Sequence, residues 1–241
     1  MSAFVNGSGG GAPRYSLTGT ATTLQSVLGA TLSCWCTYTG APSVNEQVIV
    51  NVSTGLSLAL ARANLSFRHQ AGVYRASARR LDADAAVIVD SLTPISATPT
   101  HVVGVFEYNN QIARIYINGV QEATVAVPGW TGATSATAAL GAGLGGRADG
   151  NATSSMEGLV SDCRVYSRAL DPAEIGALYI KQGRDANVFS LGNRFEMQGV
   201  PLNVAFPSCT DSVGALVGTA VGAPVPLGSN YISVPRRRRR R

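Results

Sequence analysis

The feature that most constrains this chain is a train of short alternating runs filling residues 14 to about 180. "TLSCWCTY", "QVIVNVS", "LSLALAR", "NLSFRHQ", "GVYRASA", "AAVIVDS", "HVVGVFEY", "IARIYING", "QEATVAV", "AALGAGLG" and "GLVSDCRVYSRAL" either alternate apolar and polar positions or form one short apolar block. A period of two sends successive side chains to opposite faces, so each run reads as a strand with a face to bury. About a dozen strands at this spacing specify a sandwich or barrel. The 27 glycines supply the tight turns that such a chain needs. In "RIYINGVQEAT", Asn118-Gly119 provides the two positive-φ positions of a type I′ hairpin between two alternating strands.

One segment breaks the period. In "ALDPAEIGALYI", Asp171 can cap, Pro172 suits the first turn, Glu174 stands three residues after the cap, and Ile175, Leu178 and Tyr179 make an apolar stripe. This predicts one short helix packed on the sandwich. Beyond it the chain is rich in Gly and Pro with little strand character, and before residue 14 lies a Gly/Ser/Pro arm. The expected organisation is therefore a flexible arm over 1–13, one sandwich over 14–185, and an extension over 186–241 that ends in an arginine run.

With 45% apolar and 14% charged residues, the chain has ample material for one core. Six of its nineteen basic residues are Arg236, Arg237, Arg238, Arg239, Arg240 and Arg241, so the net +5 belongs to the tail and the body is nearly neutral. A dedicated DNA-binding domain is not expected; the arginine run points instead to an acidic partner. No basic and apolar leader opens the sequence, and no apolar run reaches the ~18 residues of a membrane span. A soluble protein with no membrane contact is expected. Cys34 and Cys36 flank Trp35 with their thiols on one face about 7 Å apart, too far to pair easily with each other. A bridge from one of them to Cys163 or Cys209 is open geometrically, but without an export signal free, buried thiols are expected. The C-x-C spacing with two remote cysteines is a poor zinc pattern.

"ATLSCWCTYTGAPSVNEQVIV", "THVVGVFEYNNQIARIYINGVQ" and "GLVSDCRVYSRALDPAEIGALY", in this order and at these distances, resemble the opening strand, central block with its Ile-Asn-Gly hairpin, and closing strand and helix of laminin-G-like domains. These belong to the concanavalin A-like lectin and glucanase superfamily, and the resemblance spans roughly 150 residues. It implies an all-β antiparallel β-sandwich, a jelly roll, with one short C-terminal helix and an extended tail. Parts of the tail also resemble the segment that follows such domains in bacteriophage proteins, which leaves open whether it completes the same sheet or reaches a neighbour.

Hydrolases on this fold set two carboxylates on one strand as Glu-x-Asp-x-Glu, and this chain has no such motif. It is read as a non-enzyme with no catalytic residues. Asp82 and Asp84 in "RRLDADAAV" are read as a solvated turn, with calcium binding as the alternative; Asp149 in a Gly-rich loop and Asp162 before the closing strand are the other calcium candidates. Apart from calcium, no cofactor is expected. The resemblance makes His101 a structural histidine and gives Asp162 a loop-tying bond. Trp130 with Tyr108 and Asn109 is the candidate glycan platform, weighed against core packing, because aromatic faces stack on pyranose rings. "LGAGLGG" lacks the ending of a phosphate loop and is read as strand and turn.

The leading expectation is a non-enzymatic structural virion protein of a bacteriophage, assembled in the host cytoplasm. It would be a capsid decoration on the head surface or a tail-associated protein, partnered with capsid or tail proteins in a homo- or hetero-oligomeric assembly and anchored by its terminal extensions. The alternative is a lectin-like module that binds surface glycans with calcium assistance, and behind it a glycoside hydrolase.

Overall fold

A computed structural model describes residues 3–5, 14–21, 24–38, 46–53, 61–137, 139–147, 154, 156–181, 193–197, 209–211, 217–221 and 225–226. In chain order these form β1 (Ala3–Val5), β2 (Arg14–Ala21), β3 (Gly29–Tyr38), β4 (Glu46–Ser53), β5 (Ala61–Arg68), β6 (Val73–Ala78), β7 (Val87–Pro94) and β8 (Thr100–Glu107). They continue as β9 (Ile112–Ile117), β10 (Val120–Ala126), β11 (Ala139–Leu144), β12 (Gly158–Tyr166), α1 (Pro172–Lys181), β13 (Asn193–Met197), β14 (Cys209–Asp211), β15 (Val217–Val221) and β16 (Val225–Pro226). Five antiparallel strands in the order β10-β9-β8-β3-β12 face five in the order β11-β4-β5-β6-β7. The architecture is the expected all-β sandwich.

Alternation decides which side chains fill the space between the sheets. From β3 and β8 come Leu32, Cys34, Cys36, Val102 and Phe106; from β5, β6 and β7 come Leu65, Phe67, Tyr74, Ala76 and Val89, all essentially inaccessible to solvent. Val103 and Val105, one residue out of phase on β8, face the other way and pack with Tyr116 and Tyr166 against Leu170, Ile175 and Leu178 of the helical segment. Burying Ile175 and Leu178 contributes about 1.5–3 kcal/mol each, which is what seats α1 on the outside of this sheet. Asp171 and Glu174 form the expected reciprocal cap: Glu174 N donates to Asp171 Oδ1 at 2.8 Å and Asp171 N to Glu174 Oε2 at 3.0 Å. Arg168 holds the same Glu174 with both guanidinium arms, at 2.6 and 2.8 Å. Asn118 and Gly119 adopt φ of 51° and 83°, as the type I′ hairpin requires.

Both flanks of the sandwich are stitched. On one, the Glu122 carboxylate of β10 accepts the backbone N–H groups of Leu92 and Thr93 at 2.9 Å, tying the edge strand β7 to the opposite sheet. On the other, β13 pairs with β12, β14 with β13, β15 with β14, and β15 with β2, so hydrogen bonding passes from one sheet into the other. The described strands of the extension therefore pair within this chain's own sheet. The segment expected to be a flexible arm contributes β1, which pairs with Leu159–Ser161 of β12.

Free thiols were the expectation for all four cysteines, and the structure corrects it: Cys34 of β3 and Cys163 of β12 form a disulfide, 129 residues apart in sequence. Adjacent antiparallel pairing of β12 with β3 brings the two Cβ atoms together. Cys36 is free and buried, its Sγ 3.7 Å from the Thr100 carbonyl. "LGAGLGG" is β11 followed by a turn at Gly145, as read from the sequence.

Candidate functional site

Antiparallel register places the end of β3, the starts of β4, β8 and β12 and the end of β5 at one end of the sandwich: Tyr38 stands opposite Gly158, Cys36 opposite Thr100, and Glu46 opposite Arg68. Gly158 has no room for a side chain, since a Cβ there would lie 2.0 Å from the Thr37 carbonyl. That contact presses β12 on β3 and sets the neighbouring Glu157, whose N–H donates to Gln47 Oε1 at 2.8 Å.

At this rim Tyr38 is half-buried. Its ring meets Phe67 edge-on at 5.5 Å and stacks on His69 at 6.1 Å and 26°. The hydroxyl lies 2.8 Å from His69 Nδ1, and His69 is exposed. Burial and then the Glu157 charge push the Tyr38 phenol upward, so it remains a neutral hydroxyl. The Ser96 carbonyl accepts the Tyr38 N–H at 2.9 Å, and the Ser96 and Thr98 hydroxyls lie 2.8 Å apart beside it. A ring face, an imidazole and several hydroxyls grouped at an exposed strand end suit a hydroxyl-bearing ligand.

Beside the rim, polar side chains cross β4 to β7. Ser66 Oγ donates to Glu46 Oε1 at 3.0 Å; Arg68 and Arg75 stand 3.7 and 3.9 Å from Glu46 Oε2; Arg75 holds Asp90 with Nε and Nη2 at 2.6 and 2.7 Å. The strip alternates in sign and is close to neutral.

The residues singled out from the sequence fall elsewhere. Trp130 and Tyr108 are 2% and 0% exposed, with ring centroids 4.9 Å apart in the core, and only Asn109 is exposed. These two rings offer no sugar platform, because the loops that carry them fold their faces inward. Asp82 is engaged by Arg62 Nη2 at 3.2 Å, by Arg79, and by Ser135 Oγ at 2.7 Å, so the expected solvated turn is an ion-paired clamp. Arg62 is 1% exposed and also donates to the carbonyls of Leu24 and Thr137. Asp84 accepts from Leu81 N at 2.9 Å within its own turn. Asp162 sits at φ 49° where β12 bulges against β3, and both its oxygens accept from buried Arg164, at 2.9 and 3.0 Å. These carboxylates do not fit a calcium site, being committed to arginines or to a turn. Among the described residues no group of three His, Cys, Asp or Glu side chains converges on a common point. Asp149 and Arg236–Arg241 lie outside the described residues.

His101 is buried on β8. Its Nε2 lies 2.8 Å from Ser33 Oγ and its ring stacks on Trp35. Burial first, and the nearby Arg164 charge second, push its pKa down to about 3, which keeps it neutral. Sequence reasoning missed the Tyr38–His69 pair, whose members are 31 residues apart. Its one sequence signal was Tyr38 at the end of an alternating run.

A family model described as the concanavalin A-like lectin/glucanases superfamily matches residues 9–176. No curated protein sequence matches the chain. Among solved structures, a putative carbohydrate binding protein from Bacteroides ovatus is similar at TM-score 0.58 and 15% identity, over 95% of this chain and 62% of that one. The sialidase module CBM40 of Ruminococcus gnavus, solved with α2,3 sialyllactose, is similar at TM-score 0.53 and 18% identity, over 64% of this chain and 84% of that one. A SAP-like pentraxin from Limulus polyphemus is similar at TM-score 0.54 and 17% identity, over 90% and 98%. At these identities the likeness is one of fold.

Proposed function

The chain belongs to the concanavalin A-like lectin/glucanases superfamily, and from that premise we propose that it is a non-catalytic carbohydrate-binding module that presents its Tyr38–His69 rim to a saccharide. The observation that carries this reading is half-buried Tyr38 stacked on exposed His69 at the rim, with Ser96, Thr98 and Glu157 grouped near it. Tyr38 supplies a ring face for the apolar side of a pyranose, and His69 and the hydroxyls supply donors and acceptors for its rim. The CBM40 module and the Bacteroides ovatus protein, whose names refer to carbohydrate, support the reading through shared fold.

The virion reading takes second place. It leaned on the tail's resemblance to bacteriophage proteins, with the terminal extensions as anchors on neighbouring subunits, and the described strands β1 and β13–β15 of those extensions pair within this chain's own sheet. Capsid or tail partners and a virion location belong to that second reading. Among the described residues no helix is long and apolar enough to cross a membrane.

The test is a glycan array with the full chain, followed by titration of any binder against Tyr38→Ala and His69→Ala. Loss of a stacked ring removes about 0.5–1.5 kcal/mol, so Tyr38→Ala is expected to weaken binding roughly three- to tenfold. Wild-type affinity in both variants would remove the rim from the reading, and an array with no saccharide bound would remove the function.

A further inference from the structure

Away from the rim, on the face of the sheet that α1 covers, Trp35 of β3 stands opposite His101 of β8. Tyr179, in the last turn of α1, lies over both. Trp35 and Tyr179 stack at 5.7 Å and 18°, Trp35 and His101 at 5.2 Å and 30°, and His101 and Tyr179 at 6.2 Å and 23°. Packing alone accounts for three stacked rings. It does not account for their nitrogens.

Trp35 Nε1 and His101 Nδ1 are both buried and neither has a hydrogen-bond partner. A buried polar atom left unsatisfied is uncommon, and here two occur in neighbouring rings of one stack. Their chemistry is complementary. The indole N–H only donates, and in the His101 tautomer whose Nε2–H donates to Ser33 Oγ, 2.8 Å away, Nδ1 is an acceptor. They are not positioned to satisfy each other, because the rings lie face to face and an indole N–H donates in its own plane. A hydroxyl group meets both needs: its oxygen accepts from Trp35 Nε1–H while its O–H donates to His101 Nδ1.

We infer that Trp35 and His101 form a second saccharide subsite that takes one sugar hydroxyl between their unpartnered ring nitrogens, with Tyr179 as its cover. The cover is separable from the helix anchor. Ile175 and Leu178 are buried, whereas Tyr179 is 36% exposed and the following Ile180 is 78% exposed. Tyr179 can therefore turn aside while α1 stays seated. Gly119 makes this geometry possible, since a Cβ there would stand 3.1 Å from the Tyr179 Cβ.

This inference rests on the carbohydrate reading, and its test keeps the two apart. The full chain, labelled with 15N, is titrated with lactose and with sialyllactose while the two indole N–H resonances, Trp35 and the core Trp130, are followed. The expected result is a saturable shift of Trp35 Nε1–H with Trp130 unmoved. W35F, which keeps a ring but removes the N–H, should bind about tenfold more weakly, the equivalent of about 1.4 kcal/mol. Y179A should bind more tightly than wild type, since no cover has to move. If sugar perturbs Tyr38 and His69 but leaves Trp35 Nε1–H in place, or if that N–H keeps its cross-relaxation to water at saturating sugar, the niche holds solvent only and the inference is overturned while the rim reading stands. If neither sugar, nor any binder from the array, perturbs either region, both readings fall together. The wild-type titration carries the decision even where a variant fails to fold.

Discussion

Opening the Cys34–Cys163 disulfide should cost this protein a large part of its stability. The bridge spans 129 residues, and closing a loop of that size removes entropy from the unfolded chain worth about 5 kcal/mol. Cys34 and Cys163 are 0% and 2% exposed, so the reduced thiols would remain packed as small apolar groups and the loss is mainly this chain term. For a protein of this size about 1 kcal/mol moves the melting temperature by roughly 2–4 °C, which gives an expected drop of roughly 10–20 °C. The assay is thermal unfolding by circular dichroism, comparing oxidised protein with protein reduced in denaturant and refolded under dithiothreitol, alongside C34A/C163A. Cys36, two residues along β3, is the obvious thiol for exchange, but burial pushes its pKa far up and denies it the thiolate that attack requires. Exchange through Cys36 should therefore be slow in the native state. The reasoning is refuted if non-reducing peptide mapping finds Cys34 unlinked to Cys163, or if the double variant melts within roughly 2 °C of wild type.

Two further outcomes are expected. Although burial raises the Asp82 carboxyl, hydrogen bonds from Ser135, Thr137 and Arg62 outweigh it and hold the group at about 2 in the folded protein, below its ordinary 3.8. Its contribution is thus fully present above about pH 4 and lost as pH falls through 2. After discounting for a half-exposed carboxylate this amounts to about 1 kcal/mol, read as a wild-type advantage over D82N in urea midpoints that shrinks between pH 5 and 2. Gly119→Ala places a Cβ at φ +83° and 3.1 Å from Tyr179. It should destabilise the protein by about 1–2 kcal/mol and change Trp35 fluorescence, and an unaltered denaturation curve with unaltered emission would contradict the packing described.

What was legible in the sequence was local. Asn118-Gly119 and Asp171-Pro172-x-Glu174 act through their own backbone, so hairpin and helix cap were readable from adjacent residues. What escaped was set by strands that meet only in three dimensions. Cys34 finds Cys163 because β3 and β12, far apart in sequence, are neighbours in the sheet. Asp162 was read as a loop-tying acid with calcium as the alternative, but its partner was not legible, because the bulge that turns it toward Arg164 exists only in the β12–β3 register. Trp130 and Tyr108 were flagged for their rings, and alternation does not say which face a loop aromatic will take; Tyr38 at the end of β3 and His69 in the turn after β5 carried no shared signal.

The strands that carry hydrogen bonding from β12 to β2 also set how this protein can be divided. The family-matched stretch ends at residue 176, yet β12 and β2 find partners in β13 and β15, beyond it. A fragment cut at the helix would bare two rows of backbone donors and acceptors at once, the kind of surface on which β proteins adhere to their own copies. Oligomers formed by such a fragment would record an injury to the sheet, and a fragment that keeps the pairing of β15 with β2 has to run through Val221.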